Sequence, residues 1–411
     1  MAALVVALAG TTAWPLSAAA AEPRRGAVKI GVSLALTGPD ARWGIPMLRG
    51  IELGVEEANR AGGPGGHPLE TVVLDSAGPG LEGISHWRGM NNYERLIADP
   101  AVIAAIGPQT SGEGRAVAPL VNRADLATIT PSATTFDVTD PALQARFRPG
   151  GRSAYFRTVG TDLAQGPAMA RFAHDRLGVR RVVLIDDGTA FGVRTVLGFA
   201  RRAGELGMAV LGRKQVRWTE GDYRRELREV QALHPEAVFF AGGQPVGVKL
   251  ARQAAGILPS VHRLAAESLF DRGFAIQAGT AAEGWYVSNV AADLAASPGG
   301  LAWADRFRRR FGDDPSPYSL SAHTAVMVIR DAVGRLAARG RSITRPGVRE
   351  AIQSARLADT PQGTVSYDAN GDLERPVVSI YQVRDEAFRY LEAVTLAGAP
   401  RPAADGALSR P

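Results

Sequence analysis

The chain has 411 residues, enough for two domains with separate cores, and its 45% hydrophobic and 21% charged residues exclude a disordered or fibrous protein. The formal charge of +6 comes almost wholly from arginines scattered beside acidic residues, as in "GDYRRELREV", since Lys29, Lys214 and Lys249 are the only lysines; no nucleic-acid surface is expected. Without a cysteine there is no disulfide framework, no thiolate metal site and no lipid-anchored lipoprotein.

The opening "MAALVVALAGTTAWPLSAAAAEP" is apolar, uncharged before Glu22 and rich in small residues at its end, although a basic leading segment is missing. It reads as an export signal over residues 1–21, cleaved near Ala21, and nothing later is long and apolar enough to span a membrane. From residue 27 short apolar runs alternate with helical patterns. "AVKIGVSLAL", "LETVVLDS", "AVIAAIG" and "LATITPS" are predicted strands, separated by helices over "GIPMLRGIELGVEEANRAGG", over "HWRGMNNYERLIADP" and after Gly112. A linker follows near "PGGRSAYFRTVG", and the alternation restarts. Its helices are "GPAMARFAHDRLG", "FGVRTVLGFARRAGELG", "DYRRELREVQALHP" and "GVKLARQAAGI"; its strands are "RRVVLIDDG", "EAVFFAGG" and "HRLAAES". Residues 300–356 add two helices, and "GTVSYDANGDLERPVVSIYQV" reads as a hairpin around Asn370-Gly371. The expected fold is α/β, with two doubly wound parallel-sheet lobes in series. Too little chain remains for a third lobe, so the tail should return to complete the first two and create a multi-stranded hinge.

Open parallel sheets bind ligands beyond the carboxyl ends of their strands. "GPQTSGEG" and "TPSATT" each follow a strand and should share one rim. Thr110 and Glu113 have capping-box spacing, which leaves Ser111 and neighbouring amides at a helix N-terminus, a favourable place for an anion. Glu113 stands where a phosphate-binding loop has lysine, so a single carboxylate fits better than a polyphosphate. Signatures of turnover are missing. No G-x-G-x-x-G follows the first strand, Ser111 lacks the nucleophile elbow, and the six histidines show no H-x-x-x-H spacing. Asp186 and Asp187 read as loop and cap residues, and "DANGD" lacks the calcium-loop spacing, so neither cofactor nor metal is expected.

In order along residues 27–392, "VKIGVSLALTGPDARWG", "GIELGVEEANRAGG", "AAIGPQTSGEGRAVAPL", "ITPSATT", "DLAQGPAMA", "DDGTAFG", "AEGWYVS" and "YDANGDL" resemble the branched-chain amino-acid-binding proteins, the type I periplasmic substrate-binding components of ABC importers. The resemblance implies two α/β lobes closing on a ligand about a three-stranded hinge: residues 27–156 with 288–372, and 157–287 with 373–395, followed by a flexible tail over 396–411. It implies a non-enzymatic, monomeric protein of the periplasm that delivers an amino acid or related small carboxylate to a membrane ABC permease. Ser111 and Thr134, with Ser132 and Ala133 of the same loop, would hold the ligand carboxylate, Trp43 would cover the ligand, and Glu267 would pair with its ammonium. Phe191 falls where a tyrosine is usual and Gly243 where the branched-chain binders carry an aromatic, while both family cysteines are missing, at Gly78 and Thr110. These departures leave aromatic carboxylates, amides and urea open as ligands. A ligand sensor of the same fold and an α/β enzyme are the readings from other classes.

Overall fold

The computed structural model describes residues 26–78, 85–217 and 219–396, so the export-signal reading and the tail beyond residue 396 lie outside the described residues. Five parallel strands form the first sheet: β1 (Val28–Leu34), β2 (Leu69–Asp75), β3 (Val102–Ile106), β4 (Ala127–Thr130) and β5 (Tyr155–Arg157), in the order β2-β1-β3-β4-β5. Every residue of β3 and β4 is buried, which is why these strands read as continuous apolar runs. Helices α1 (Ala41–Arg60), α2 (His86–Ala98), α3 (Ser111–Arg123) and the short α4 (Gln144–Phe147) connect them.

After α5 (Asp162–Asp175) the second sheet begins with β6 (Arg181–Asp186), α6 (Ala190–Glu205), β7 (Ala209–Gln215), α7 (Arg224–Ala232), β8 (Ala237–Ala241), α8 (Gln244–Ile257), β9 (His262–Ala265), α9 (Arg272–Ala278) and β10 (Tyr286–Asn289). The chain continues through α10 (Pro298–Phe311), α11 (Pro317–Ala338), α12 (Arg345–Gln353), a two-stranded ribbon of β11 (Arg356–Thr360) and β12 (Gly363–Ser366), and finally β13 (Val377–Arg384) and β14 (Ala387–Thr395). The second sheet has the order β14-β13-β10-β9-β8-β6-β7, parallel from β7 to β10 and antiparallel at β13 and β14.

Four sequence expectations need correction. The linker stretch "PGGRSAYFRTVG" contains β5, the edge strand of the first sheet, paired in parallel with β4. Residues 300–356 contain three helices, α10 to α12, rather than two. The strand β7 was absent from the expected order because "AVLGRKQ" is a half-exposed edge strand without strict apolar alternation. The hairpin around Asn370-Gly371 survives only as a turn, with Asp368 N–H donating to Asp372 O at 2.8 Å and a bridge between Tyr367 and Leu373. Beyond it the two arms separate, β12 onto β11 and β13 into the second sheet between β10 and β14. Cross-sheet partners outcompeted the local one.

The tail does return to the earlier elements. Helix α11 lies along α1, so closely that a Cβ on Gly50 would stand 2.1 Å from Ser319 O. Glu57 of α1 receives His323 Nε2 at 2.9 Å and Arg306 Nε at 2.8 Å; burial alone would raise its pKa, but these partners hold it down at about 2. Between the sheets the chain crosses three times, after β5, after β10 and after β12. Two crossings are stitched together where Gly160 N–H donates to Val290 O at 3.0 Å beside the packed Val159, Val290 and Ala291.

Candidate functional site

A cavity of about 370 Å³ lies between the sheets, at the carboxyl ends of both sets of strands. Trp43, in the first turn of α1, lines it with Gln109, Thr110 and Ser132 of the loops after β3 and β4; Gln244, the first residue of α8, lines it with Glu267, Phe270 and Asp271 of the segment after β9. Tyr318 reaches in from α11 and meets Trp43 edge-on, with ring centroids 6.2 Å apart. Arg42 lies over the Trp43 ring and, 3.5 Å from Asp271, joins the two rims by an ion pair.

The two first-sheet loops are tied into one unit. Thr110 accepts from Glu113 N and Glu113 caps Thr110 N, so the expected capping box is present. Ser132 Oγ donates to Gln109 O at 2.7 Å, Thr130 Oγ1 donates to Pro108 O at 2.7 Å, and Thr130 Oγ1 also accepts from Ala133 N at 2.8 Å. Ser111 Oγ accepts from Thr135 N at 3.1 Å, which orients its hydroxyl while leaving the proton available to an anion. Between these anchors stands Thr134, whose carbonyl accepts from Asp162 N at 2.9 Å and whose hydroxyl side chain helps to lower the pKa of the Glu267 carboxyl.

Glu267 opens the loop after β9. Its backbone N–H donates to Gln165 Oε1 at 3.0 Å, and Tyr318 OH donates to its Oε2 at 3.3 Å. Burial, and then the charge of Asp162, push its carboxyl up to about 7, against the hydrogen bond from Tyr318 and the nearby polar side chains of Gln165 and Thr134. These polar side chains are neutral, so the site has a place for a cation. Deleting one hydroxyl that bonds a charged group should be measurable, and Thr134→Ala is expected to weaken ligand binding about 10-fold, by calorimetry, with unchanged circular dichroism.

The sequence-derived candidates fall into distinct positions. Trp43, Ser132 and Glu267 line the cavity; Ser111, Ala133 and Thr134 lie directly behind it in the tied loops. Phe191 packs on the α6 side of the second-lobe core instead. Gly243 caps α8 and donates its N–H to Asp187 Oδ2 at 2.7 Å, while the adjacent Gln244 reaches the cavity. Sequence reasoning missed Gln109, which accepts from Ala35 N at 3.0 Å and donates to Asp40 O at 3.3 Å, joining the β1 and β3 loops. Its position just before the capping box was the available signal. Tyr318 and Phe270 had none, because they reach the cleft only through tertiary packing. Asp186 and Asp187 take structural roles, Asp186 accepting from Arg213 at 2.6 Å and Asp187 capping the turn at Thr189. No group of His, Asp and Glu among the described residues is arranged to hold a metal, and no described helix is long and apolar enough to cross a membrane.

Two open-sheet lobes, three crossings and a polar cavity between facing strand ends define a hinged, cleft-type binding protein. The chain belongs to the periplasmic binding protein family, which it matches over residues 27–387. It is 27% identical over 367 residues to a Leu/Ile/Val-binding protein homologue of Brucella melitensis, covering 89% of this chain and 94% of that protein. It superposes on a leucine-binding protein of Thermotoga maritima with a TM-score of 0.72 at 26% identity, over 89% of this chain and 98% of the other. A solute-binding protein of an ABC transporter from R. palustris, in complex with benzoate, shares the fold with a TM-score of 0.66 at 22% identity, over 92% and 98% of the two chains.

Proposed function

We propose that the protein is the extracytoplasmic solute-binding component of an ABC importer, a monomer that captures an α-amino acid and presents it to a membrane permease. The observation that supports this reading best is Glu267, a buried carboxylate that lines the same cavity as Ser132 and accepts from the neutral Tyr318 hydroxyl. A ligand ammonium would neutralise it, and the Ser111 and Thr134 hydroxyls would bind the ligand carboxylate at the N-terminus of α3. Trp43, Phe270 and Tyr318 would enclose the side chain. No catalytic step is proposed, and no cofactor or nucleic acid is needed.

Ligand would draw residues 27–156 with 288–372 and residues 157–287 with 373–395 together, since its contacts with both are complete only when they meet. The radius of gyration from small-angle scattering should therefore fall on saturation, from an ensemble in which the Arg42–Asp271 pair is partly broken. Superimposable profiles would oppose a closing trap. The ligand class is tested directly by releasing any co-purified small molecule for mass spectrometry and by thermal shift with L-leucine, L-phenylalanine, benzoate, acetamide and urea. An α-amino acid should raise the melting temperature; a rise with benzoate alone would replace it by an acid without ammonium.

A further inference from the structure

The "YDANGDL" turn is not among the residues that line the cavity, yet it is tied to β5 and the loop that follows β4. Two arginines hold it. Arg148 Nη1 donates to Asn370 Oδ1 at 2.8 Å, and Arg157 Nε donates to Asp372 Oδ1 at 2.5 Å. Gly371, at φ 94°, packs so close to β5 that a Cβ there would stand 2.2 Å from Tyr155 O. The turn is thus pressed against the end of β5.

Arg157 is the last residue of β5 and is 0% exposed. Its side chain runs across the end of β4. Nη1 donates to Ala133 O at 2.8 Å, and Nη2 donates to Thr135 O at 2.7 Å and to Thr139 Oγ1 at 2.9 Å. With Nε on Asp372, four hydrogen bonds fix the guanidinium, and two of them bracket Thr134. The amides of Ala133 and Thr135 are taken by Thr130 and Ser111, and the Thr134 carbonyl by Asp162. The backbone of this loop is therefore pinned on both sides of the Thr134 amide and hydroxyl.

We propose that Arg157 is the positioning residue of the ligand-carboxylate loop: anchored by Asp372, its fork on the Ala133 and Thr135 carbonyls sets the direction of Thr134 and couples the hinge crossings to the cleft. The proposal rests on the binding reading above for its functional consequence, though not for the clamp itself. A planar fork is needed, because an ammonium is a compact charge that cannot reach two carbonyls and a carboxylate in fixed directions at once.

Arg157→Lys keeps the positive charge beside Asp372 and should leave the melting temperature within a few degrees. Affinity for L-leucine should fall about 10-fold or more, the effect of losing a charge-assisted contact. Amide hydrogen exchange in the ligand-free protein should quicken in residues 131–136 and stay unchanged in the second sheet. Asp372→Asn, remote from the cavity and nearly isosteric, should show the same pattern more weakly, and it decides the matter if the lysine variant does not fold. Wild-type leucine affinity in both variants, or unchanged exchange over 131–136, would overturn the proposal; a general loss of protection in step with melting temperature would reduce Arg157 to a structural role and also overturn it. If wild type binds none of L-leucine, L-phenylalanine and benzoate, the binding reading fails on its own, and the exchange measurements still decide whether Arg157 holds the loop.

Discussion

Glu267→Gln should cost an α-amino acid ligand about 10-fold to 150-fold in affinity, because a charge-assisted hydrogen bond contributes roughly 1.5 to 3 kcal/mol. The substitution keeps the size of the side chain and its ability to accept from Tyr318, so the cavity retains its shape. The same carboxyl gives the effect a pH signature. Burial and Asp162 place it at about 7 in the free protein. A ligand ammonium binds the ionised form, so affinity should rise as pH increases from 5, level off above 7, and lose most of this slope in the glutamine variant. An acid without ammonium would show the reverse, since its own carboxylate is favoured by protonated Glu267, and its affinity would fall as pH rises through 7. Calorimetric titrations of L-leucine and benzoate at pH 5.5, 7 and 8.5 separate the two. Wild-type affinity and slope in the variant would remove Glu267 from recognition.

The ligand-free protein should lose stability as pH rises through neutrality, and Glu113→Gln should correct part of that. Burial pushes Glu113 up to about 7, against hydrogen bonds from Thr110, and it pushes Asp162 up to about 6, against Arg194 and Arg157. Both folded values exceed the unfolded ones of 4.5 and 3.8, so their stabilising contribution is complete below those values and is lost as pH rises through 6 to 7. At about 1.4 kcal/mol per pH unit, a wholly buried Glu113 costs on the order of 3 kcal/mol at pH 8. Glu57 has the opposite sign, held at about 2, and its contribution vanishes only as pH falls from 4.5 toward 2. The melting temperature should therefore drop by several degrees between pH 5 and 8. Glu113→Gln preserves the capping box, which glutamine also completes, and should raise the melting temperature at pH 8 while changing little at pH 5. An equal drop in variant and wild type would show that Glu113 is not buried as a charge.

Much of the first sheet was legible because β3 and β4 are buried on both faces and therefore carry unbroken apolar runs, and the α3 capping box could be read from Thr110 and Glu113. Edge strands were harder. "AVLGRKQ" is half-exposed and gives no period, and β13 takes its partners from β10 and β14, which no local pattern announces.

The sequence by itself determined the alternation of strands and helices, the restart that makes two lobes, and the loops after β3, β4 and β9 that carry Ser111, Thr134 and Glu267. These are local properties, set by apolar periodicity and by cap and turn residues within a few positions of one another. Only the tertiary structure decided that Tyr318 donates to Glu267 across the cleft, that Gln244 reaches the cavity while Phe191 turns into the core, and that Arg157 joins Asp372 to the carbonyls around Thr134. Each depends on residues distant in sequence, whose meeting is fixed by sheet order and hinge crossings, and a single sequence carries no periodic signal for such distances.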